Sequence, residues 1–209
     1  MSALPSFSIK ASAQLGGRVC QLGISAFGEL TDRVRNIPYG RTNSSSPIAV
    51  LVENVGTCSS KHRLLAAVAH EAGHTEITLV IGIYEMSEAN TPGVGAILAE
   101  AGTSSIPEAH CYLMLSGTRF DLTGLTVGRI SPLDAVREEH LVLPEDLAES
   151  KDRVHKQALK RWALSRGVTP EKAWQIREAC IAALASNHSI ERTSSGRLRL
   201  PAAAPHVER

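Results

Sequence analysis

The sequence predicts an α+β fold in which one central helix packs on an antiparallel sheet and two more helices follow at the C-terminus. Three stretches support this prediction. Residues 56–84 have the apolar spacing of a helix and then change to a run rich in Ile, Val and Thr. A Ser116-Gly117 turn separates two short β-like runs, and helical spacing returns from about residue 144. These changes between helical and strand periods define the fold class.

The composition is that of an ordinary globular protein. Of the 209 residues, 43% are hydrophobic and 21% are charged, and the net charge is +1. This balance gives no indication of nucleic acid or another polyanion as a partner. The N-terminus lacks the basic head and apolar core of a signal peptide, and no apolar run approaches the length of a membrane span. We therefore expect a cytoplasmic protein with no membrane partner and with its four cysteines reduced. The sequence leaves the oligomeric state open.

The residues before the central helix give weaker signals. Residues 1–20 have little periodicity and allow a strand or two. Residues 25–36 predict a short helix, because their apolar residues share one face and Pro38 follows the end. After a loop of turn-forming residues, the apolar run at residues 48–52 leads toward Cys58.

The central helix is predicted to begin at or just after Cys58 and to end at Gly73. Its apolar residues fall on one stripe: Leu64, Leu65, Val68, Ala69 and Ala72. Gly73 is a natural helix stop, and residues 75–84 predict a strand. The unpaired N–H groups and the dipole at the helix N-terminus favour an anion, so we expect the Cys58 thiol to have a lowered pKa. The same N–H groups are placed to bind the oxyanion of a tetrahedral intermediate.

A β-hairpin is predicted around the Ser116-Gly117 turn. If these two residues form the whole turn, His110 and Asp121 share one face of the hairpin and lie within reach of a hydrogen bond. Tyr112 then faces Asp121. A three-residue turn would place His110 and Asp121 on opposite faces. Because side chains alternate along a strand, Cys111 is predicted to point away from His110 and to be a core thiol.

Cys58, His110 and Asp121 together match the requirements of nucleophilic catalysis. A cysteine nucleophile needs a base to take its proton, and the base needs a partner that fixes its orientation and stabilises its charge. The predicted elements supply these roles in that order. Four further residues are predicted to bind substrate: Arg41, Lys61, His62 and Tyr112. Arg41 and Lys61 are cations that could hold a substrate carboxylate. His62 is expected to line the site or to act as a local base.

At these residues the sequence resembles the transglutaminase-like family of papain-type cysteine enzymes. The resemblance covers about residues 48–125 and rests on four elements: Gly56-Thr57-Cys58, the strand at residues 75–84, Ala109-His110-Cys111-Tyr112 and Phe120-Asp121-Leu122-Thr123. The family often has a Trp where this chain has Tyr112, and the hairpin here is tighter. The resemblance implies a papain/transglutaminase-like core with Cys58 as nucleophile, His110 as base and Asp121 as its orienting partner.

The same resemblance implies a function. Members of the family carry out acyl chemistry on an amide or a related carbonyl, as hydrolases or acyl transferases, and some members have no catalytic activity. We expect a peptide or small-molecule amide or acyl substrate and no required cofactor. A non-catalytic binding protein of the same fold remains an alternative.

The predicted elements divide the chain into three parts. A catalytic domain is expected over residues 1–143, a helical hairpin packed on it over residues 144–190, and a flexible tail over residues 191–209. The loop at residues 85–106 contains a short helix. We expect this loop either to shape the site or to form a surface insertion.

The alternative chemistry is that of a zinc metallopeptidase. His70-Glu71-x-x-His74 has the form of a zinc-peptidase motif, in which two histidines bind the metal and the Glu acts as base. The motif needs both histidines on one continuous helix, whereas Gly73 and the β-rich run after it predict that the helix ends between them. The candidates for a third ligand are Glu138, Glu139 and His140. We favour a polar helix end for this motif.

Overall fold

The computed structural model describes residues 3–124 and 131–195, and side chains up to Leu184. The helices are α1 (Gln14–Gln21), α2 (Phe27–Asn36), α3 (Ala49–Val52), α4 (Cys58–Ala72), α5 (Gly95–Glu100), α6 (Leu147–Ser165) and α7 (Pro170–Ser195). The strands are β1 (Thr78–Met86), β2 (Ile106–Leu115), β3 (Thr118–Phe120) and β4 (Val136–Val142). Short 3₁₀ helices, Pro132–Ala135 and Pro144–Asp146, precede β4 and α6.

The four strands form one antiparallel sheet in the order β3-β2-β1-β4. β1 pairs with β2 along its whole length, from Thr78 opposite Met114 to Met86 opposite Ile106. β3 pairs only with the last residues of β2, from Leu113 to Leu115. Among the described strands, none pairs with the outer edge of β2 between Ile106 and Tyr112. This part of the edge is therefore open to contacts from helices.

The central helix α4 begins and ends where its sequence predicts. The Thr57 side chain accepts a hydrogen bond from the Ser60 N–H (3.3 Å), and the Ser60 hydroxyl accepts one from the Thr57 N–H (2.9 Å). This reciprocal capping fixes the first turn. Gly73 ends the helix with a φ of 99°, a conformation that glycine adopts without steric cost. Four residues of the predicted apolar stripe are buried in the core that α4 shares with the sheet, whereas Ala72 at the end of the helix is half-buried.

Residues 14–21 form helix α1, so the strand allowed for the N-terminal residues is wrong. No side chain at the N-cap of α1 caps its first turn. Glu71 of α4 does so instead, because its carboxylate accepts hydrogen bonds from the N–H groups of Leu15 (3.0 Å) and Gly16 (2.7 Å). The helix depends on a distant part of the chain, which local periodicity does not reveal.

The two C-terminal helices pack on each other and against β2. Arg177 of α7 donates two hydrogen bonds to the buried Glu108 of β2, at 2.6 and 2.8 Å. α7 continues to Ser195, past the expected end of the hairpin at residue 190. Residues 196–209 of the predicted tail lie outside the described residues. Together with the sheet and α4, this helical pair confirms the predicted α+β fold.

The segment between β1 and β2 packs into a second apolar cluster together with α6 and α7. Val94 and Leu98 are buried there. The Glu88 carboxylate closes the loop by accepting hydrogen bonds from the N–H groups of Gly93 (2.9 Å) and Gly95 (2.6 Å). Within the described part of the chain, no helix is both long and apolar enough to cross a membrane.

Candidate active site

Cys58 is the first residue of α4, and only 5% of its surface is exposed. The first N–H groups of a helix have no partner within it. Thr57 caps the N–H of Ser60, and no described residue accepts a hydrogen bond from the N–H groups of Cys58 or Ser59. The thiol therefore lies beside two free backbone donors at the positive end of the helix dipole.

His110 of β2 is joined to Asp121 by the turn that the sequence predicts. Ser116 and Gly117 both have positive φ angles, 48° and 76°, as a two-residue hairpin turn requires. The resulting register pairs Leu115 with Thr118. His110 Nε2 lies 2.8 Å from Asp121 Oδ2. β3 ends before Asp121, whose Oδ1 accepts hydrogen bonds from the N–H and hydroxyl of Thr123.

The Cys58 thiolate and the His110 imidazole interact electrostatically, and each favours the charged form of the other. Since Nε2 of His110 is bound to Asp121, Nδ1 is the nitrogen available to exchange a proton with the thiol. Burial acts to lower the pKa of His110, but the Cys58 thiolate and the Asp121 carboxylate outweigh it and raise this pKa to about 10. Burial would raise the pKa of Asp121, but its hydrogen bond to His110 lowers it below its usual range. At neutral pH these shifts favour a thiolate beside an imidazolium.

Two further groups favour Cys58 as a thiolate. The neighbouring Cys111 thiol is the largest cause of the lowered pKa of Cys58, against the opposing effect of burial. Lys151 of α6 adds a positive charge, with its Nζ 3.8 Å from Cys58 Sγ and 2.9 Å from Ser59 Oγ. The pKa of Lys151 is itself raised despite burial, because the thiolate attracts its charge. The Cys58 thiolate in turn raises the pKa of Cys111, which stays neutral.

Tyr39 also interacts electrostatically with the nucleophile. A parallel bridge between Tyr39 and Gly56 brings the turn after α2 beside the first turn of α4. The charge of Cys58 is the main cause of the raised pKa of the Tyr39 phenol. The hydroxyl therefore stays protonated and can donate to the sulfur. At 43% exposure, this side chain also borders solvent.

His62 is a buried link between the nucleophile and the residues after β3. Its Nε2 accepts a hydrogen bond from the Leu122 N–H (2.8 Å), so Nδ1 carries the proton and donates to the carbonyl of Cys58 (2.8 Å). Burial lowers the pKa of His62 and keeps the ring neutral. The structure thus corrects the expectation that His62 is a local base or lines the site: the ring holds Cys58 and the Asp121 segment together.

The other three residues expected to bind substrate do not gather around the thiol. Lys61 is fully buried, and its ammonium donates to the carbonyls of Ile37 (2.5 Å) and Thr123 (2.6 Å), which corrects the expected contact with a substrate carboxylate. Arg41 lies exposed in the loop before α3.

Tyr112, the third of these residues, is buried beside a neighbouring strand. Its hydroxyl donates to Glu139 of β4 (2.5 Å). Its ring lies so close to Gly82 that a Cβ there would be 2.7 Å from a ring carbon. Tyr112 is therefore part of the sheet packing, which corrects its expected role in binding substrate.

The zinc motif is divided among three structural roles. His70 Nε2 lies 3.0 Å from the Ile77 carbonyl, and the Glu71 carboxylate caps α1. The helix ends at Gly73 before His74, whose Nδ1 lies 3.0 Å from Glu76 Oε1. Within residues 3–124 and 131–195, no three potential His, Cys, Asp or Glu ligands are grouped to hold a metal ion. These residues therefore do not fit a zinc site.

A cavity of about 360 Å³ lies near the nucleophile, although Cys58 itself does not line it. It lies between residues 42–47, the first turn of α4 and the first half of α6. Thr57 and Ser59, on either side of Cys58 in the sequence, line it, and so does Lys151, whose Nζ is 3.8 Å from Cys58 Sγ. Part of a substrate that reacts with Cys58 could occupy this cavity.

Sequence patterns did not reveal Lys151, Tyr39 or the role of Cys111. Lys151 lies on a helix face with ordinary charge spacing, and Tyr39 lies in a turn, so neither carries a local signal. Cys111 is buried as predicted, yet it also affects the pKa of the nucleophile. Alternation along β2 does not predict this effect, because it arises from the packing of α4 on β2, where Ser59 Oγ lies 3.5 Å from Cys111 Sγ.

No protein-family model matches the chain, and no curated protein sequence matches it. Among solved structures, a proposed cysteine protease from Cytophaga hutchinsonii is similar, with a TM-score of 0.34 and 17% sequence identity. The match covers 64% of this chain and 52% of the other, so this chain spans about half the length of that protein.

Proposed function

We propose that this protein is a cysteine-dependent enzyme that acts on an amide or a related carbonyl, as a hydrolase or an acyl transferase of the transglutaminase-like type. One observation supports the proposal above all others. His110 is held by Asp121 through a hydrogen bond of 2.8 Å, and its positive charge stabilises the Cys58 thiolate. A nucleophile, a base and an orienting carboxylate thereby act on one another in that order.

The reaction begins with attack of the Cys58 thiolate on the substrate carbonyl. A bond forms between Sγ and the carbonyl carbon, and the oxygen takes the negative charge. The N–H groups of Cys58 and Ser59 lie where they stabilise this oxyanion, and the Tyr39 hydroxyl adds a side-chain donor near the sulfur. The imidazolium of His110 then gives its proton to the leaving amine as the carbon–nitrogen bond breaks. A thioester on Cys58 remains.

The second half of the reaction restores the enzyme. His110, now neutral, takes a proton from the acceptor as the acceptor attacks the thioester carbon. The carbon–sulfur bond breaks, and Cys58 leaves as a thiolate beside the imidazolium. Water as acceptor gives a carboxylic acid, and an amine gives a new amide. Asp121 keeps His110 oriented in both halves, and neither half needs a cofactor.

A binding-only protein of the same fold is the second candidate, and one observation favours it. Only 5% of the Cys58 surface is exposed, so a substrate carbonyl has restricted access to the sulfur. A protein that uses these contacts only for stability would keep the same geometry without turnover.

Acylation of Cys58 by an activated ester separates the two candidates. The protein is mixed with a 4-nitrophenyl ester, and the release of nitrophenol and the mass of each cysteine-containing peptide are followed. The proposed enzyme gives a burst of nitrophenol and an acyl group on Cys58, then slower turnover. The Cys58→Ala variant should give neither, and a Cys20→Ala variant should behave like the wild type. A folded Cys58→Ala variant with full activity would refute the proposal.

A further inference from the structure

The cavity near Cys58 combines apolar surface with polar groups. Most of its exposed lining is apolar, and Pro47, Leu147 and Ala148 contribute to it. Six lining residues carry hydroxyls: Thr42, Ser45, Ser46, Thr57, Ser59 and Ser60. A ligand without polar groups would remove water from these hydroxyls and from the charged residues without replacing their hydrogen bonds, which costs free energy. The lining therefore favours a ligand with a carbon skeleton that also carries a polar group.

The charged residues that line the cavity favour a negatively charged ligand. Lys151 and Arg63 both line it, and Asp152 is the acidic residue among the lining groups. Asp152 is paired with Lys156 at 2.8 Å, which offsets its charge. His155 adds no charge, since burial lowers its pKa and its ring lies against the Pro107 carbonyl. The first turn of α4 adds the positive end of a helix dipole.

Arg63 is held in place by the backbone. Its Nε donates to the Pro144 carbonyl (2.7 Å) and its Nη1 to the Ser45 carbonyl (3.0 Å). No acceptor for Nη2 is found among the described residues, so this nitrogen remains available to a ligand. A guanidinium fixed in this way binds an anion with little further loss of side-chain entropy.

Lys151 sets the distance between such an anion and the reacting carbon. Its Nζ is 3.8 Å from Cys58 Sγ. A carboxylate oxygen bonded to this Nζ, at about 2.8 Å, lies within about 7 Å of the sulfur. The carbonyl carbon attacked by Sγ lies between the two. A separation of about two or three carbons between this carbonyl and the carboxylate spans the distance.

We propose that the acyl donor carries a carboxylate, which binds in this cavity to Lys151 and Arg63 about two or three carbons from the scissile carbonyl. The proposal rests on the proposed acyl chemistry and adds the substrate class to it. A carboxylate so placed satisfies the ammonium and the guanidinium together with the surrounding hydroxyls. It also holds the scissile carbonyl beside Sγ, which lowers the entropy cost of reaching the transition state.

Two esters that share one skeleton test this proposal. Mono-4-nitrophenyl glutarate carries the carboxylate, and its methyl ester is the neutral counterpart. With the wild type, kcat/KM for the carboxylate should exceed that for the methyl ester by a factor of about 10 or more, since each tenfold corresponds to about 1.4 kcal/mol of binding. Spontaneous hydrolysis and the Cys58→Ala variant provide the blank for both esters.

Variants locate the preference in the cavity. Arg63→Gln should bring the ratio of the two kcat/KM values several-fold closer to one. Arg153→Gln makes the same charge change on the exposed face of α6 and should leave the ratio unchanged. Because Arg63 also anchors two carbonyls, circular dichroism and the melting temperature must show that its variant is folded. Free glutarate, but not glutaramide, should also slow alkylation of Cys58 in the wild type, which needs no variant.

The outcomes separate this inference from the proposed function. If Cys58 turns over both esters with equal kcat/KM, the carboxylate site is wrong and the acyl chemistry stands. If neither ester acylates Cys58, the proposed function itself is wrong. The preference for the carboxylate ester could instead persist in Arg63→Gln and disappear at high salt. It would then come from long-range electrostatic attraction rather than from binding in the cavity, and the proposed site would be wrong.

Discussion

Replacing Lys151 by Met removes one positive charge beside the nucleophile and keeps the length of the side chain. Nζ of Lys151 lies 3.8 Å from Cys58 Sγ. Two unit charges at about 4 Å interact by about 1 kcal/mol in water and by about 4 kcal/mol at an effective dielectric constant of about 20. Since 1.36 kcal/mol corresponds to one pKa unit, the pKa of Cys58 should rise by about one to three in Lys151→Met.

The thiolate absorbs in the ultraviolet and the thiol does not, so a pH titration followed by absorbance gives this pKa directly. The wild type, Lys151→Met and Cys58→Ala are titrated in parallel, and the last of these provides the baseline of the other cysteines. Lys156→Met removes a charge from the same helix, where the side chain is 61% exposed, and should leave the pKa of Cys58 unchanged. An unchanged pKa in a folded Lys151→Met variant would show that the lysine does not stabilise the thiolate.

Four more perturbations have defined outcomes. Asp121→Asn should lower the pKa of His110, which is about 10 in the wild type. Activity needs the His110 imidazolium and is lost as the pH rises through this pKa. The alkaline limb of the kcat/KM profile of Asp121→Asn should therefore move to lower pH. An unmoved limb would show that Asp121 does not stabilise the imidazolium. Cys111→Ala should raise the pKa of Cys58 and slow its alkylation at neutral pH, whereas Cys20→Ala, the control, should not. Glu71→Gln weakens the cap of α1 and should lower the free energy of unfolding by about 1 kcal/mol, and with it the melting temperature. Dialysis of the wild type against a chelator should leave its activity unchanged. Loss of activity with the chelator would support the zinc interpretation instead.

Local sequence patterns predicted the parts of the fold that local interactions determine. The helical stripe, the glycine stop after Ala72 and the Ser116-Gly117 turn each depend on residues within a few positions of one another. The turn mattered most, because its two positive φ angles set the register that brings His110 to Asp121. A three-residue turn would have separated them.

The remaining features depend on contacts between distant parts of the chain. α1 is capped by Glu71 of α4, so no residue beside the helix in the sequence marks its N-terminus. Strand β4 alternates half-buried and exposed residues but has no apolar face. The segment forms a strand because it pairs with β1, which the local pattern does not predict. Lys151 reaches Cys58 across the packing of α6 on β2, a contact that no spacing in the sequence encodes. Lys61 and His62 were expected near a substrate because they follow Cys58 closely, but the helix turns both side chains into the interior.

The proposed chemistry requires Cys58 to be a thiolate at neutral pH, and the pH dependence of its alkylation by iodoacetamide measures this state. Mass spectrometry of the four cysteine-containing peptides gives a separate rate for each thiol, and the metal content is determined on the same sample. We expect Cys58 to react far faster at pH 7 than Cys20, Cys111 or Cys180, with a rate that falls only at acid pH. Uniformly slow labelling of all four cysteines in folded protein would show that Cys58 is not an activated thiolate and would favour a binding role.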